Sequence, residues 1–378
     1  MIVDPWTLAW LAVLLLLVGL IWAAYRQPPK LELSRELPPA GFVGRPLPYR
    51  VTAQLRSRLP LRYVIEDAPP LRIIADRQLR WGGWLWHSGA AQLSGEVNLN
   101  TRGEYHWPDT VLRWADPFGL FWRSVRLNFP TRLEVYPGVH GLRLPDLLRP
   151  LLSEGALSRT LGLDDPLSLR GARPYVPGDP PGRIHWRLSA RSGELTVREL
   201  ERTASSRLMV YLDPRGDAVF AESAVRLAAS LVQEALHLDL PVSLSTPGHA
   251  TPSGRTPQAL RAALSRLATL QPLSPGEALP NMASELTFQA AGSNLIVLTQ
   301  RAPTDLLTAA LRARTSAKRV VVVVMPEGFY LEPGESPRRQ WAGLPDSVRD
   351  LERQAGVLAD AGVLVFVLRG NQSVLRLA

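Results

Sequence analysis

Residues Trp6–Tyr25 read WTLAWLAVLLLLVGLIWAAY and carry no charged side chain. At about 1.5 Å rise per residue a helix of this length spans roughly 30 Å, the thickness of a bilayer's hydrocarbon core. Trp6, Trp10, Trp22 and Tyr25 stand near the ends of the run, as an interfacial aromatic belt would. Met1–Pro5 supplies Asp4 and no basic residue, so the basic head of a cleavable secretory signal is missing. Arg26 and Lys30 follow the run and no basic side chain precedes it. The expectation is a single-pass anchor over residues 6–25 in the inner (plasma) membrane, with the rest of the chain cytoplasmic. The competing reading is a buried core helix.

Beyond this run the chain changes character twice. Residues 31–137 read as β, in short apolar runs at Leu31–Leu33, Tyr49–Leu55, Leu61–Ile65, Leu71–Ile74, Ala91–Leu99, Thr110–Trp114, Phe121–Leu127 and Arg132–Tyr136. Pro38-Pro39, Gly41, Gly44, Pro69-Pro70, Gly82-Gly83, Arg102-Gly103 and Asp116-Pro117 punctuate them as turns. Strands at this spacing predict an antiparallel β-sandwich domain. Asp116–Phe121 reads as a turn that buries an aromatic; Trp81, Trp84 and Trp86 could form a binding face, but the favoured reading is ordinary sandwich packing with part of it resting near the membrane. Leu142–Leu152 reads as a short amphipathic connector helix.

From residue 206 strands and helices alternate. Strands are expected at Leu208–Leu212, Val242–Ser245, Leu295–Thr299, Arg319–Met325 and Val363–Leu368. Helices are expected at Ala221–Leu238, Pro257–Leu270, Pro303–Ala313 and Val348–Ala361. Continuously apolar strands between helices predict a parallel sheet covered on both faces, a doubly wound α/β domain over 206–378 with ligand sites at the carboxyl ends of its strands. The whole chain thus reads as α+β multidomain, and 378 residues suit two domains and an anchor.

Between these regions lies residues 138–205, a connector followed by the densest charge in the chain. Asp179-Pro180-Pro181 reads as a helix start, an acidic cap followed by prolines where the missing N–H costs nothing, and Gly193 as its stop. Arg183, Arg187 and Arg191 then fall at i, i+4 and i+8, a column of like charge that acids must meet. Arg170, Arg173 and Arg198 add to it. Two readings stay open. The acids Asp164, Asp165, Asp179, Glu194, Glu199 and Glu201 could satisfy the column internally, or an acidic partner or phosphate could dock on it.

The ordered run Arg173, Tyr175, Pro177-Gly178-Asp179, Ile184-His185-Trp186-Arg187, Ala190-Arg191, Leu195, Val197-Arg198-Glu199 resembles the signature of a bacterial family known as domain of unknown function 58. It departs from that signature at Pro174, where an acid is common, and at Gly182, where an arginine is common. Arg102-Gly103-x-Tyr105 and Asp116–Phe121 resemble the same family. The resemblance implies a C-terminal domain similar to the von Willebrand factor A fold, whose first strand ends in a D-x-S-x-S loop that helps to hold magnesium. Here that loop reads Asp213-Pro214-Arg215-Gly216-Asp217, with Arg215 and Asp217 in place of the serines, and Leu298-Thr299-Gln300 stands where a second aspartate is often found. A guanidinium at a divalent-cation site repels the ion, so the site reads as degenerate and free of metal, with Asp213 paired to Arg215 or capping the following helix. The resemblance also implies a protein partner, a MoxR-type AAA+ ATPase, and an adaptor role. The residues expected to carry it are Arg170, Arg173, Tyr175, Asp179, Arg183, Trp186, Arg187 and Arg191, with Asp179 shaping the helix start and Trp186 packing it.

Catalytic readings have little to stand on. The chain has no cysteine, which removes thiolate chemistry, and no P-loop or HExxH motif. His185 and Ser189 share a helix face near Asp179, but a nucleophile and base on one exposed turn lack an oxyanion hole. No cofactor is expected. The formal charge of +9 keeps two competitors in view: an enzyme working through the basic helix with Asp164, Asp165 or His185, and a binder of anionic lipid or nucleic acid, although nucleic acid is not the expected partner.

Overall fold

A computed structural model describes residues 5–70, 73–75, 79–107, 109–138, 169–177, 179, 184–200, 207–237, 239–326, 346–369 and 373–377. The chain divides into two units, Met1–Gly138 and Val139–Ala378. The expected connector helix at Leu142–Leu152, and Asp164, Asp165 and Arg183, lie outside the described residues.

In the first unit the uncharged run forms α1 (Pro5–Ala24). None of its apolar window is buried inside the protein, which removes the core-helix reading and leaves a helix long and apolar enough to cross a membrane. Its end is tied to the strands that follow. The Tyr25 hydroxyl donates to the Pro60 carbonyl at 2.7 Å, Trp114 Nε1 donates to the Tyr25 carbonyl at 3.0 Å, and the Arg123 guanidinium lies 4.9 Å over the Trp22 ring.

Among the described residues eleven strands follow: β1 (Lys30–Glu36), β2 (Ala40–Phe42), β3 (Pro46–Arg56), β4 (Leu61–Glu66), β5 (Ile73–Ala75), β6 (Arg80–Leu85), β7 (Ser88–Leu99), β8 (Gly103–Trp107), β9 (Thr110–Ala115), β10 (Arg123–Leu127) and β11 (Thr131–Tyr136). They form sheets ordered β1-β3-β7-β5, β10-β9-β4-β6 and β2-β11-β8. All pairings are antiparallel except β2 with β11. The period-2 pattern of β3 explains the packing: Leu47, Tyr49 and Val51 enter one apolar cluster with Val97, Leu99, Leu133 and Val135, while Ala53 and Leu55 enter another with Leu61, Ile65, Leu112 and Trp114. Away from α1, Arg35 and the fully buried Asp67 form an ion pair. Arg35 also donates to the Thr110 hydroxyl at 2.8 Å and the Thr131 hydroxyl at 3.2 Å, so one guanidinium ties segments of all three sheets.

Three sequence expectations are corrected here. Gly82 and Gly83 are not a turn but the middle of β6, opposite Val64 and Tyr63. A Cβ on Gly82 would come within 2.5 Å of the Tyr63 carbonyl oxygen, so glycine is needed where β4 passes close. Trp84 and Trp86 are exposed, and of the three tryptophans only Trp81 packs against the core. The Asp116–Phe121 turn is built as expected, with the buried Asp116 carboxylate accepting from the amides of Phe118 at 2.9 Å and Phe121 at 2.8 Å. It buries no Phe118, however, whose ring is 76% exposed.

In the second unit β12 (Leu169–Pro174) pairs antiparallel with β13 (Thr196–Leu200), and α2 (Trp186–Ser192) lies between them in sequence. The remainder is a seven-stranded sheet of β14 (Arg207–Leu212), β15 (Val242–Thr246), β16 (His249–Ala250), β17 (Ser293–Thr299), β18 (Arg319–Val324), β19 (Val363–Arg369) and β20 (Ser373–Leu377), with helices α3 (Ala218–His237), α4 (Pro257–Thr269), α5 (Met282–Gln289), α6 (Thr304–Ala313) and α7 (Asp346–Asp360). Its spatial order is β16-β15-β14-β17-β18-β19-β20. The five inner strands are parallel, and β16 and β20 close the edges antiparallel. Met209, Tyr211, Val297, Val322 and Val365 meet α5, α6 and α7 through Leu286, Leu306, Ala310 and Leu351. Leu208, Val210 and Leu212 alternate to the opposite face, the side of α3, whose buried stripe runs from Phe220 to Ala235. The expected parallel sheet with helices on both faces is therefore present, and β16, β20 and α5 are additions that the sequence reading missed.

Candidate functional site

Two places in the second unit concentrate chemistry. The first follows from topology. Counting from β14, the sheet runs 3-2-1-4-5-6-7, so the order reverses between β14 and β17. Crevices outside the carboxyl ends of strands form at such a reversal. There β14 delivers Asp213, whose amide donates to the Leu298 carbonyl at 2.9 Å. Arg215 lies back across it. Its Nε donates to Asp213 Oδ1 at 2.9 Å, Nη2 to Oδ2 at 3.0 Å, and Nη1 to Asp305 Oδ2 at 2.6 Å and to the Glu277 carbonyl at 3.3 Å. Asp213 is fully buried and Arg215 is 6% exposed. The end of β17 completes the arrangement: the Thr299 hydroxyl donates to Asp213 Oδ2 at 3.2 Å, and Gln300 Nε2 to Asp217 Oδ2 at 2.6 Å. Asp217 Oδ1 accepts from the Phe220 amide at 2.6 Å, capping α3. Gly216 is required by crowding, since a Cβ there would meet Phe220 at 2.5 Å and Gln300 at 2.6 Å.

Burial alone would lower the Arg215 pKa, but hydrogen bonds to Asp213 and Asp305 outweigh it and the net direction is up. Tyr211, just before the site on β14, is pushed up chiefly by burial and secondarily by the Asp213 charge. Its hydroxyl is buried without a hydrogen-bond partner among the described residues. The donors of Arg215 are thus committed to its neighbours, and Asp213 accepts from Arg215 and Thr299 together. Asp213, Arg215 and Asp217 all come to this place, as do Thr299 and Gln300. Sequence reasoning missed Asp305 and Glu277; an acid in the first turn of the helix after β17 was the signal for Asp305.

The second place is the β12–β13 hairpin with α2. Asp179 does not start the helix. It takes both Arg173 nitrogens, at 2.7 and 2.6 Å, and accepts from the Val176 amide at 3.0 Å, closing the turn after β12. Ile184 bridges Val197 and the His185 amide donates to the Thr196 carbonyl at 2.8 Å, so the chain is still extended there. α2 therefore begins only at Trp186, with His185 Nδ1 accepting from the Leu188 amide at 3.2 Å as the cap. Gly193 ends it at φ 76°, as expected. Ser189, the buried residue of α2, donates to the His185 carbonyl at 3.1 Å and accepts from the Thr196 amide at 2.9 Å. That hydroxyl is spent on holding α2 against β13.

Trp186 does not pack the helix either, being 65% exposed. Arg187 and Arg191, one turn apart, are exposed, and no ion pair among the described residues engages them. Leu188, Leu195 and Val176 are exposed beside them. Tyr175 is half-buried, its amide donating to the Leu195 carbonyl at 2.8 Å, and Arg170 lies in β12. Of the arginine column, then, the described part is the Arg187–Arg191 pair.

Comparison with known proteins bears out the family resemblance. Residues 171–327 match the family model described as "Protein of unknown function DUF58". The "Uncharacterized protein YeaD" of Bacillus subtilis (strain 168) is 29% identical over 198 residues, 49% of this chain and 48% of that protein, so the chain spans about half the length of that curated relative. Among solved structures, the CARDB domain of the PF1109 protein from Pyrococcus furiosus has 15% identity and a TM-score of 0.20, covering 28% of this chain and 88% of that one. A protein of unknown function from Porphyromonas gingivalis W83 has 13% identity and a TM-score of 0.22, covering 28% and 48%.

Proposed function

We propose that this DUF58-signature chain is a membrane-anchored adaptor that works by gripping another protein and catalyses nothing itself. The observation that carries this is the α2 face. A tryptophan and two arginines that no ion pair among the described residues engages stand exposed on a helix that is fixed from behind by a buried serine. Tryptophan and arginine are the residues that most often dominate protein interfaces, and Leu188, Leu195 and Val176 supply apolar area around them. A surface for phosphate alone has no use for that apolar border. The Ser189 hydroxyl is bonded to backbone, and Asp213 and Arg215 neutralise each other, which supports this reading over a catalytic one.

By the family resemblance, the partner is a MoxR-type AAA+ ATPase, with the soluble units on the cytoplasmic side of the inner membrane. Reading the α/β domain as similar to the von Willebrand factor A fold is supported by Asp213 at the end of its first strand, where the strand order reverses. In that reading Arg215 takes the place of the ion. Affinity purification of the full chain from membranes tests the proposal: the wild type should retain an acidic protein partner, and Arg187→Glu with Arg191→Glu should lose it while melting unchanged. Retention of the partner by the double variant overturns it. Complete loss of binding that follows unfolding assigns the arginines to the structure instead.

A further inference from the structure

The first unit carries an apolar surface that its fold leaves uncovered. Trp84, Trp86, Phe118, Leu120 and Trp122 are all at least half exposed, between 50% and 76%. They are scattered in sequence, but strand register brings them to one end of the β10-β9-β4-β6 sheet. Arg62 at the start of β4 pairs with Trp84 near the end of β6 and with Ala115 at the end of β9, and Trp114 pairs with Arg123 at the start of β10. The loops from this end carry Trp86 and the Phe118–Trp122 segment. The Ser57 amide donates to the His87 carbonyl at 2.8 Å, drawing in the turn before β4 with its exposed Leu59.

This is also the end to which α1 is tied, through Tyr25 to Pro60, Trp114 to Tyr25, and Arg123 to Trp22. α1 ends at Ala24 and β1 begins at Lys30. Even fully extended, the residues between reach roughly 17 Å, so a bilayer that holds α1 must lie against these loops. Charge fits the same occupant. Arg58 and Arg62 are exposed here, and Arg62 stacks 4.9 Å over the Trp84 ring. The one acid of these loops, Asp116, is fully buried and bonded to turn amides. Amphipathic aromatics interleaved with arginines are suited to the headgroup layer of an anionic leaflet.

We infer that this end of the sandwich is a second membrane contact, a collar around the exit of α1 whose aromatic side chains sit in the lipid headgroup layer. The inference rests on α1 crossing the bilayer, and the test separates the two. The chain lacks cysteine, so single cysteines can be placed and spin-labelled without background. Trp86→Cys, Phe118→Cys and Leu120→Cys report on the collar, Val13→Cys on α1, and Ile74→Cys on β5 on the opposite end of the sandwich. The full-length variants are reconstituted in vesicles of phosphatidylethanolamine and phosphatidylglycerol, and label exposure to oxygen and to a water-soluble nickel chelate is compared.

The expected result is a graded one: Val13 deepest, the three collar labels several-fold richer in oxygen relative to nickel than Ile74, and Ile74 as in water. Collar labels that match Ile74 while Val13 reads lipid overturn the collar and leave the anchor standing. Val13 reading water overturns both. Collar labels shielded from both reagents mean that protein covers this face, and overturn the inference as well.

Discussion

Arginine does opposite work at the two places in the second unit. At the reversal of strand order Arg215 is buried and its donors are matched by Asp213, Asp305 and a backbone carbonyl. On α2, Arg187 and Arg191 face water beside an exposed tryptophan. Burial decides the difference. A guanidinium stripped of water needs a partner for its charge, so Arg215 consumes the carboxylates around it. An exposed guanidinium keeps its water and remains free to trade it for another protein's carboxylate. The location favoured by topology is therefore closed by its own side chains, and the location that the fold merely displays is the one left open.

The largest expected effect breaks the buried side. Asp213→Ala leaves Arg215 without its main partner and should cost about 3–5 kcal/mol, seen as a drop in the denaturant midpoint. Combining Asp213→Ala with Arg215→Met should cost less than Asp213→Ala alone; an additive or larger loss would contradict the picture of mutual neutralisation. Next, Ser189→Ala should cost about 1–3 kcal/mol by orphaning the Thr196 amide, with faster hydrogen exchange at Thr196 as the local reading. Tyr211→Phe removes a buried hydroxyl that has no partner among the described residues and should stabilise the fold at pH 7 by about 1 kcal/mol, read from the denaturant midpoint. A second effect lies in alkali. The folded state raises the Tyr211 pKa above its usual 10.0, so the unfolded chain loses this proton first. Stability from Tyr211 is constant below about pH 10 and falls above it, and the variant should lose that part of the fall in a pH series of melts. Smallest in stability, within about 0.5 kcal/mol, should be Arg187→Glu with Arg191→Glu. A large stability loss there would erase the contrast between the two places.

Much of this was legible in the sequence wherever one property ran unbroken. The uncharged Trp6–Tyr25 run and the all-apolar strands such as Val320–Val324 announced their elements, because burial on all sides leaves no polar interruption. Elements that borrow their stability from neighbours were missed. β16 has two residues, and β6 contains the two glycines that looked like a turn. The helix start was misplaced because Asp179-Pro180-Pro181 fits a cap locally, while the pairing of Ile184 with Val197 is decided by a strand further along. At the candidate sites, Asp213 and Arg215 are neighbours in sequence and could be paired on paper. Asp305 lies 90 positions from Arg215, and Asp67 lies 32 from Arg35. Such partners become visible only when the sheet has been ordered.

The chain leaves the sandwich from β11, which ends at Tyr136 just before the unit boundary at Gly138. β11 is the middle strand of its sheet, bonded to β2 on one side and β8 on the other. A tug applied from beyond that boundary along the strand must shear two ladders together, with no edge from which to peel them. In a force–extension trace the two ladders of β11 are expected to give way together in a single event.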